Sequence, residues 1–124
     1  MAYTTIDDPS AHFQTAIYTG NGSSGLAITN GGNSDLQSDL VWIKNRDSAD
    51  DWHIVTDTSR GLTKNLFTND SNVEVTHTGR VLSITSDGFT VGDDVNVNTN
   101  TEKYVAWQWK ANGGSTSSDT NGNL

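Results

Sequence analysis

The sequence predicts an all-β domain built as an antiparallel β-sandwich of the jelly-roll or concanavalin A-like kind, with a small β-barrel as the alternative closure. Three observations carry this. Short apolar or alternating runs recur about every ten residues, separated by Gly, Asn, Asp and Ser clusters. No apolar run keeps a helical period beyond one turn. Apolar residues make up 32% of the chain and proline occurs once, in a background of Ser, Thr, Asn and Asp, which compete for backbone hydrogen bonds and favour turns over helices.

The run Asp39 to Arg46 places four bulky apolar residues in succession, Leu40-Val41-Trp42-Ile43. Side chains alternate along a strand, so both of its faces are apolar, and a strand covered on both faces belongs inside a sheet. Tyr104 to Lys110 is the second aromatic strand. Its pattern puts Val105, Trp107 and Trp109 on one side and Tyr104, Ala106, Gln108 and Lys110 on the other. The more polar second set reads as the solvent side, so Trp42, Trp107 and Trp109 are expected to anchor the core.

Around these two strands the chain runs in order. Residues 1–11 are a polar N-terminal arm, residues 12–112 the sandwich, and residues 113–124 a Gly/Ser-rich tail of linker composition. Both termini are expected to contact partner chains. His12 to Tyr18 forms the first strand and Leu26 to Ile28 a short return strand. Trp52 to Asp57 comes back antiparallel to the central strand after the Asp47 to Asp51 loop. Lys64 to Thr68 and Val73 to Val75 are shorter strands. Arg80 to Ser86 and Phe89 to Val91 flank Asp87-Gly88, a two-residue signal for a type I′ hairpin that sets Ile84 opposite Val91 and Ser86 opposite Phe89. Gly92 to Thr101 is a polar loop.

Charge and composition restrict the functions available. Fifteen acidic against seven basic residues give a formal charge of -8, which opposes nonspecific binding to nucleic acid or to an anionic membrane. The chain lacks cysteine, removing disulfides, thiolate catalysis and zinc-thiolate sites. No apolar stretch has the length of a membrane span, and the first residues lack a signal peptide's basic start and apolar run, so synthesis in the cytoplasm without export is expected.

Candidate chemistry is sparse. A retaining glycosidase needs two carboxylates about 5–5.5 Å apart in a cleft, and the two glutamates, Glu74 and Glu102, lie in a weak strand and a loop with no Glu-x-Asp-x-Glu pattern. No catalytic residues are assigned. Asp47, Asp50 and Asp51 cluster in one loop and Asp93, Asp94, Asn96 and Asn98 in another; such hard oxygen ligands suit calcium, with Asp93, Asp94 and Asn96 the candidate set, although turns use Asp and Asn for local reasons. No other cofactor is indicated. Trp52, beside Asp50, Asp51 and His53 at a loop edge, is the candidate for stacking on a sugar. His12, His53 and His77 sit in different elements, and Arg60 is placed to fix its turn through Asp57.

Five segments in order, Tyr18-Thr19-Gly20-Asn21-Gly22, Leu40 to Arg46, Asp57-Thr58-Ser59-Arg60-Gly61, Ser86 to Gly92 and Tyr104 to Lys110, resemble a concanavalin A-like (SPRY-like) β-sandwich module of structural and tail-fibre proteins of marine bacteriophages. The likeness spans about Phe13 to Gly114. It implies a virion component, on a tail fibre or as a capsid decoration; with no catalytic carboxylate pattern in the chain, that component is expected to be non-enzymatic and to act through contacts with other virion proteins and with copies of itself. The alternative it implies is a lectin-like module that binds a host-surface glycan during adsorption. It supplies no sugar-binding residue set.

Overall fold

The computed structural model describes residues 7–111; residues 1–6 and 112–124, and with them the expected partner contacts of the terminal segments, lie outside the described residues. Nine strands follow in order: β1 (Phe13–Thr19), β2 (Leu26–Thr29), β3 (Leu40–Asn45), β4 (Ile54–Asp57), β5 (Lys64–Phe67), β6 (Val75–Thr76), β7 (Val81–Thr85), β8 (Gly88–Val91) and β9 (Lys103–Trp109). One turn of helix, α1 (Val95–Asn98), interrupts the loop before β9. The strands form two antiparallel sheets that pack together, one of six in the order β1-β9-β3-β4-β5-β6 and one of three in the order β2-β8-β7. The result is an open sandwich, not a closed barrel.

The apolar central run lies inside the larger sheet, with β9 on one side and β4 on the other. Leu26 to Thr29 does not return onto β1. It crosses to the smaller sheet and pairs with β8, Ile28 opposite Phe89. The core fills the space between the sheets: Ala16, Val41, Ile43, Ile54, Phe67, Tyr104 and Ala106 from the large sheet meet Ile28, Val81, Phe89 and Val91 from the small one. Tyr18 stacks on Tyr104 with ring centroids 5.1 Å apart and meets Phe89 edge-on at 6.3 Å.

The face assignment of β9 corrects the sequence expectation. Tyr104, Ala106 and Gln108 are fully buried, whereas Trp42, Trp107 and Trp109 are half-buried on the far side of the large sheet. The reason is that the polar inner side chains find partners. Gln108 Nε2 donates to Asn30 Oδ1, Gln14 Nε2 donates to the carbonyls of Ser10 and Ser34, and Gly32 N donates to Gln14 Oε1 at 2.8 Å. A buried polar group is tolerated when hydrogen-bonded. The segment around Asn30 and the fully buried Leu36 covers this end of the sheet, where the three-stranded sheet does not reach.

The hairpin is also re-registered. Thr85 pairs with Gly88 and Ile84 with Phe89, so Ser86 and Asp87 form the turn, and a bulge between Val81 and Ser83 leaves Leu82 39% exposed. Gly88 carries φ +129°, and Asp87 is not among the residues of positive φ, as a type I′ turn at Asp87-Gly88 would require. Asp87 is held instead by accepting the amide of Leu36, while Gly88 runs against β2.

At the N-terminal edge, Pro9–Ala11 forms a 3-10 turn capped by Asp8. The Asp8 carboxylate accepts from Ser10 Oγ at 2.6 Å, Ser34 Oγ at 2.7 Å and Ser10 N at 2.9 Å. These bonds, that of the Ser10 hydroxyl first, hold its pKa below the ordinary carboxylate value. A depressed acid contributes its stabilisation above the unfolded-state pKa and loses it as pH falls through the lower folded value. Protection of the Ser10 amide should therefore persist at neutral pH and fade below the ordinary carboxylate pKa of about 3.9. NMR-detected amide exchange of wild type and Asp8→Ala checks this; identical Ser10 protection in both would refute the anchor.

Candidate interaction face

Because the small sheet covers one side of the large sheet, the other side is left outward, and strand alternation decides what it shows. The pairing register aligns Thr15, Trp107, Trp42, Val55 and Leu66 in one row across five strands. A second row on the same face reads Phe13, Trp109, Leu40 and Asp57, and a third begins Ile17, Val105 and Lys44. One step beyond the Ile43–Ile54 pair brings His53 opposite Lys44, with Thr68 Oγ1 3.3 Å from His53 Nδ1.

The aromatic side chains on this face pack edgewise on one another. Trp42 and Trp107 lie 4.9 Å apart at 48°, and Phe13 and Trp109 5.1 Å apart at 50°. Each pair covers part of its members, and the face stays open: Phe13 is 40%, Leu66 41% and Ile17 71% exposed. An apolar patch of this kind on a chain that is otherwise polar makes this face the candidate interaction surface.

Charges stand at the ends of the patch. Lys44, Arg46 and Lys103 are at one end of the strands, with Asp47 Oδ2 4.0 Å from Lys103 Nζ. Ile17, Tyr18, Thr19, Arg46 and Lys103 line a groove of about 170 Å³ there. His53 has its pKa lowered, first by burial and then by the Lys44 charge. At the opposite end Asp57 is paired with Arg60 at 2.6 Å, and Arg60 also meets Glu74 at 2.9 Å. Arg60 thus fixes the β4–β5 turn and ties it to the start of β6.

The four residues proposed for sugar stacking do not form one site. Trp52 lies on the inward side at the rim of the sandwich, 4.9 Å from Phe67, with its backbone N donating to Asn96 Oδ1. The Arg80 guanidinium sits 5.6 Å from the Trp52 ring and 5.4 Å from that of Phe67, so part of this indole is used in packing while the residue stays 37% exposed. His53, the next residue, points to the outer face, as alternation requires. Asp51 turns toward Asn45, and Asp50 is exposed in the loop.

The Asp and Asn loops are likewise committed to local bonds. Asp94 caps α1 through Asn96 N and faces Arg80 Nε at 3.4 Å and His77 Nε2 at 3.3 Å, while Asn96 accepts from Trp52. Asn98 is fully buried, its amide donating to Ser23 O, Gly92 O and Asn21 Oδ1. Asp93 is exposed. Among the described residues no group of three His, Asp or Glu side chains is disposed to hold a metal ion.

One convergence was invisible in the sequence. Asn45 Nδ2 donates to both Asp51 Oδ2 and Glu102 Oε2, while its Oδ1 accepts the amides of Asp47 and Ser48. Two carboxylates 51 positions apart thereby share one amide. The Tyr104 hydroxyl is beside them, donating to Val95 O at 2.9 Å and accepting from Thr99 N at 2.8 Å, and burial raises its pKa. The cluster organises the β3–β4 loop and the loop before β9. With the donor amide between the two oxygens, it reads as a structural hub.

A family model described as Domain of unknown function (DUF7483) matches residues 8–124. Comparison with curated proteins and with solved structures finds no match.

Proposed function

The chain belongs to the DUF7483 family, and from its outer sheet face we propose that it is a non-enzymatic assembly module of a phage particle, on a tail fibre or as a capsid decoration. The observation that carries the reading is the row Thr15–Trp107–Trp42–Val55–Leu66 with its neighbour Phe13–Trp109–Leu40. Flat aromatic surface with cations at its edge has the composition of a protein–protein interface, rich in Trp, Phe and Arg. The resemblance of the five sequence segments to phage structural modules supports the setting. The engagement of the Asp51, Asp94 and Glu102 carboxylates in hydrogen bonds to Asn45 and Asn96 supports a binding role over hydrolysis.

Incorporation is the test. A chain carrying Phe13→Asp and Leu66→Asp, both at exposed edges of the face, should fold and remain in the soluble fraction while wild type enters particles assembled in the host. Equal incorporation of the two would overturn the proposal.

One observation favours a second reading. The groove beside Ile17 places Arg46 and Lys103 around an apolar wall, an arrangement that suits an acidic sugar, carboxylate on the cations and ring on Ile17. Calorimetry with uronic-acid oligosaccharides separates the readings: binding lost in Arg46→Ala supports the glycan module, and no heat with wild type removes it.

A further inference from the structure

The outer face is apolar, five strands wide and uncovered among the described residues, and its own register constrains what can lie on it. We propose that the occupant is a second copy of this chain, packed outer face to outer face about a twofold axis that runs across the strands along the Thr15–Trp107–Trp42–Val55–Leu66 row. The inference rests on the assembly reading above and names its partner.

Three arguments select this arrangement. The first is area. Strands about 4.8 Å apart and rows about 6.7 Å apart give five strands by three rows roughly 500 Å². Two such faces bury about 1,000 Å², the lower limit for a specific contact. Twofold pairs are the commonest assemblies and require a self-complementary patch.

The second is side-chain matching. A twofold axis across the strands leaves the central row facing itself and sets the Phe13–Trp109–Leu40–Asp57 row on the partner's Ile17–Val105–Lys44–His53 row. Phe13 meets Ile17, Trp109 meets Val105, Leu40 meets the aliphatic stem of Lys44, and the Asp57 carboxylate meets the His53 imidazole. Apolar groups cover apolar groups, and the anionic end of one copy lies over the cationic end of the other.

The third is exclusion of the other symmetric choice. An axis along β3 would set Lys44 on Lys44 and the Asp57 carboxylate on Trp109, burying like charges together and a carboxylate on an indole. Two sheets packed face to face tolerate an offset of about 30° between strand directions, so the twist of the sheets does not prevent the contact. The charge of -8 on each copy resists association, and physiological salt, with a Debye length of about 8 Å, screens its more distant part.

Light scattering on the purified chain tests stoichiometry, and cross-linking tests the axis. Wild type should show a mass twice its 13.3 kDa at high concentration, with Phe13→Asp and Leu66→Asp each monomeric and folded, melting cooperatively at a temperature that, unlike wild type's, does not rise with concentration. Since the chain has no cysteine, Thr15→Cys should join to itself through a short thiol cross-linker, and Phe13→Cys should join to Ile17→Cys. Cross-linking of Thr15→Cys to Leu66→Cys, with no self-linking of either, would overturn the axis. A monomer at every soluble concentration, or a dimer untouched by both Asp substitutions, would overturn the second-copy inference. If such a monomer still loses particle incorporation on substitution of the face, the assembly reading survives its loss; a dimer whose variants incorporate normally gives the opposite result.

Discussion

Replacing Phe89 by Ala should destabilise the protein by about 3–5 kcal/mol, the range for a fully buried aromatic side chain, while Trp42→Ala should cost clearly less. Phe89 is 0% exposed, lies at the centre of the three-stranded sheet opposite Ile28 and Ile84, and meets Tyr18 across the core. Truncation there leaves a cavity between two sheets that cannot close on it. Trp42 is half-buried on the outer face against Trp107, so solvent or a rearranged Trp107 fills the space. Chemical denaturation of the two variants under conditions that keep the chain monomeric decides the matter. A loss from Trp42→Ala equal to or above that from Phe89→Ala would mean that the indole face, not the Tyr104–Ala106–Gln108 face, is the interior.

Gly88→Ala should cost about 3–5 kcal/mol, combining a strained backbone with overpacking. At φ +129° an L side chain is strained, and a Cβ built there lies 2.0 Å from the carbonyl oxygen of Ile28, a backbone atom of the paired strand. The clash cannot be relieved by rotating a side chain, since β2 and β8 would have to separate along their ladder. Thermal melting is the measurement. Gly25→Ala is the control: it also has positive φ, yet no atom lies within 4 Å of its added Cβ, so it should lose only the conformational part. Equal losses from the two would show that the approach to Ile28 carries no weight.

How much of this was readable in advance follows the range of the interactions involved. The run Leu40-Val41-Trp42-Ile43 specifies an interior strand because apolar residues on both of its faces suit a strand flanked on both sides, and β3 lies between β9 and β4, although only its Val41 and Ile43 face is core. The turns, the return of β4 and the Arg60–Asp57 pair depend on residues a few positions apart, and the chain displays them locally. The outer face was present in the sequence as the alternation Val105, Trp107, Trp109; only its direction was read the other way.

That direction depended on partners far along the chain. Hydrophobicity alone sends the tryptophans inward, but the buried Gln108 Nε2 donates to Asn30 Oδ1, 78 positions away, and Asn45 Nδ2 to Asp51 and Glu102. The hairpin shows the same limit. Asp87-Gly88 has the local chemistry of a turn, yet Asp87 is taken by Leu36 and Gly88 by the close approach of β2, which moves the turn one residue earlier. The sequence by itself determined the all-β class, the interior strand and the places where the chain turns, since these follow from alternation and local backbone preference. Only the tertiary structure decided which side of the large sheet is core and which is left outward, because that choice is set by long-range hydrogen bonds to buried amide groups and by the side on which the second sheet packs.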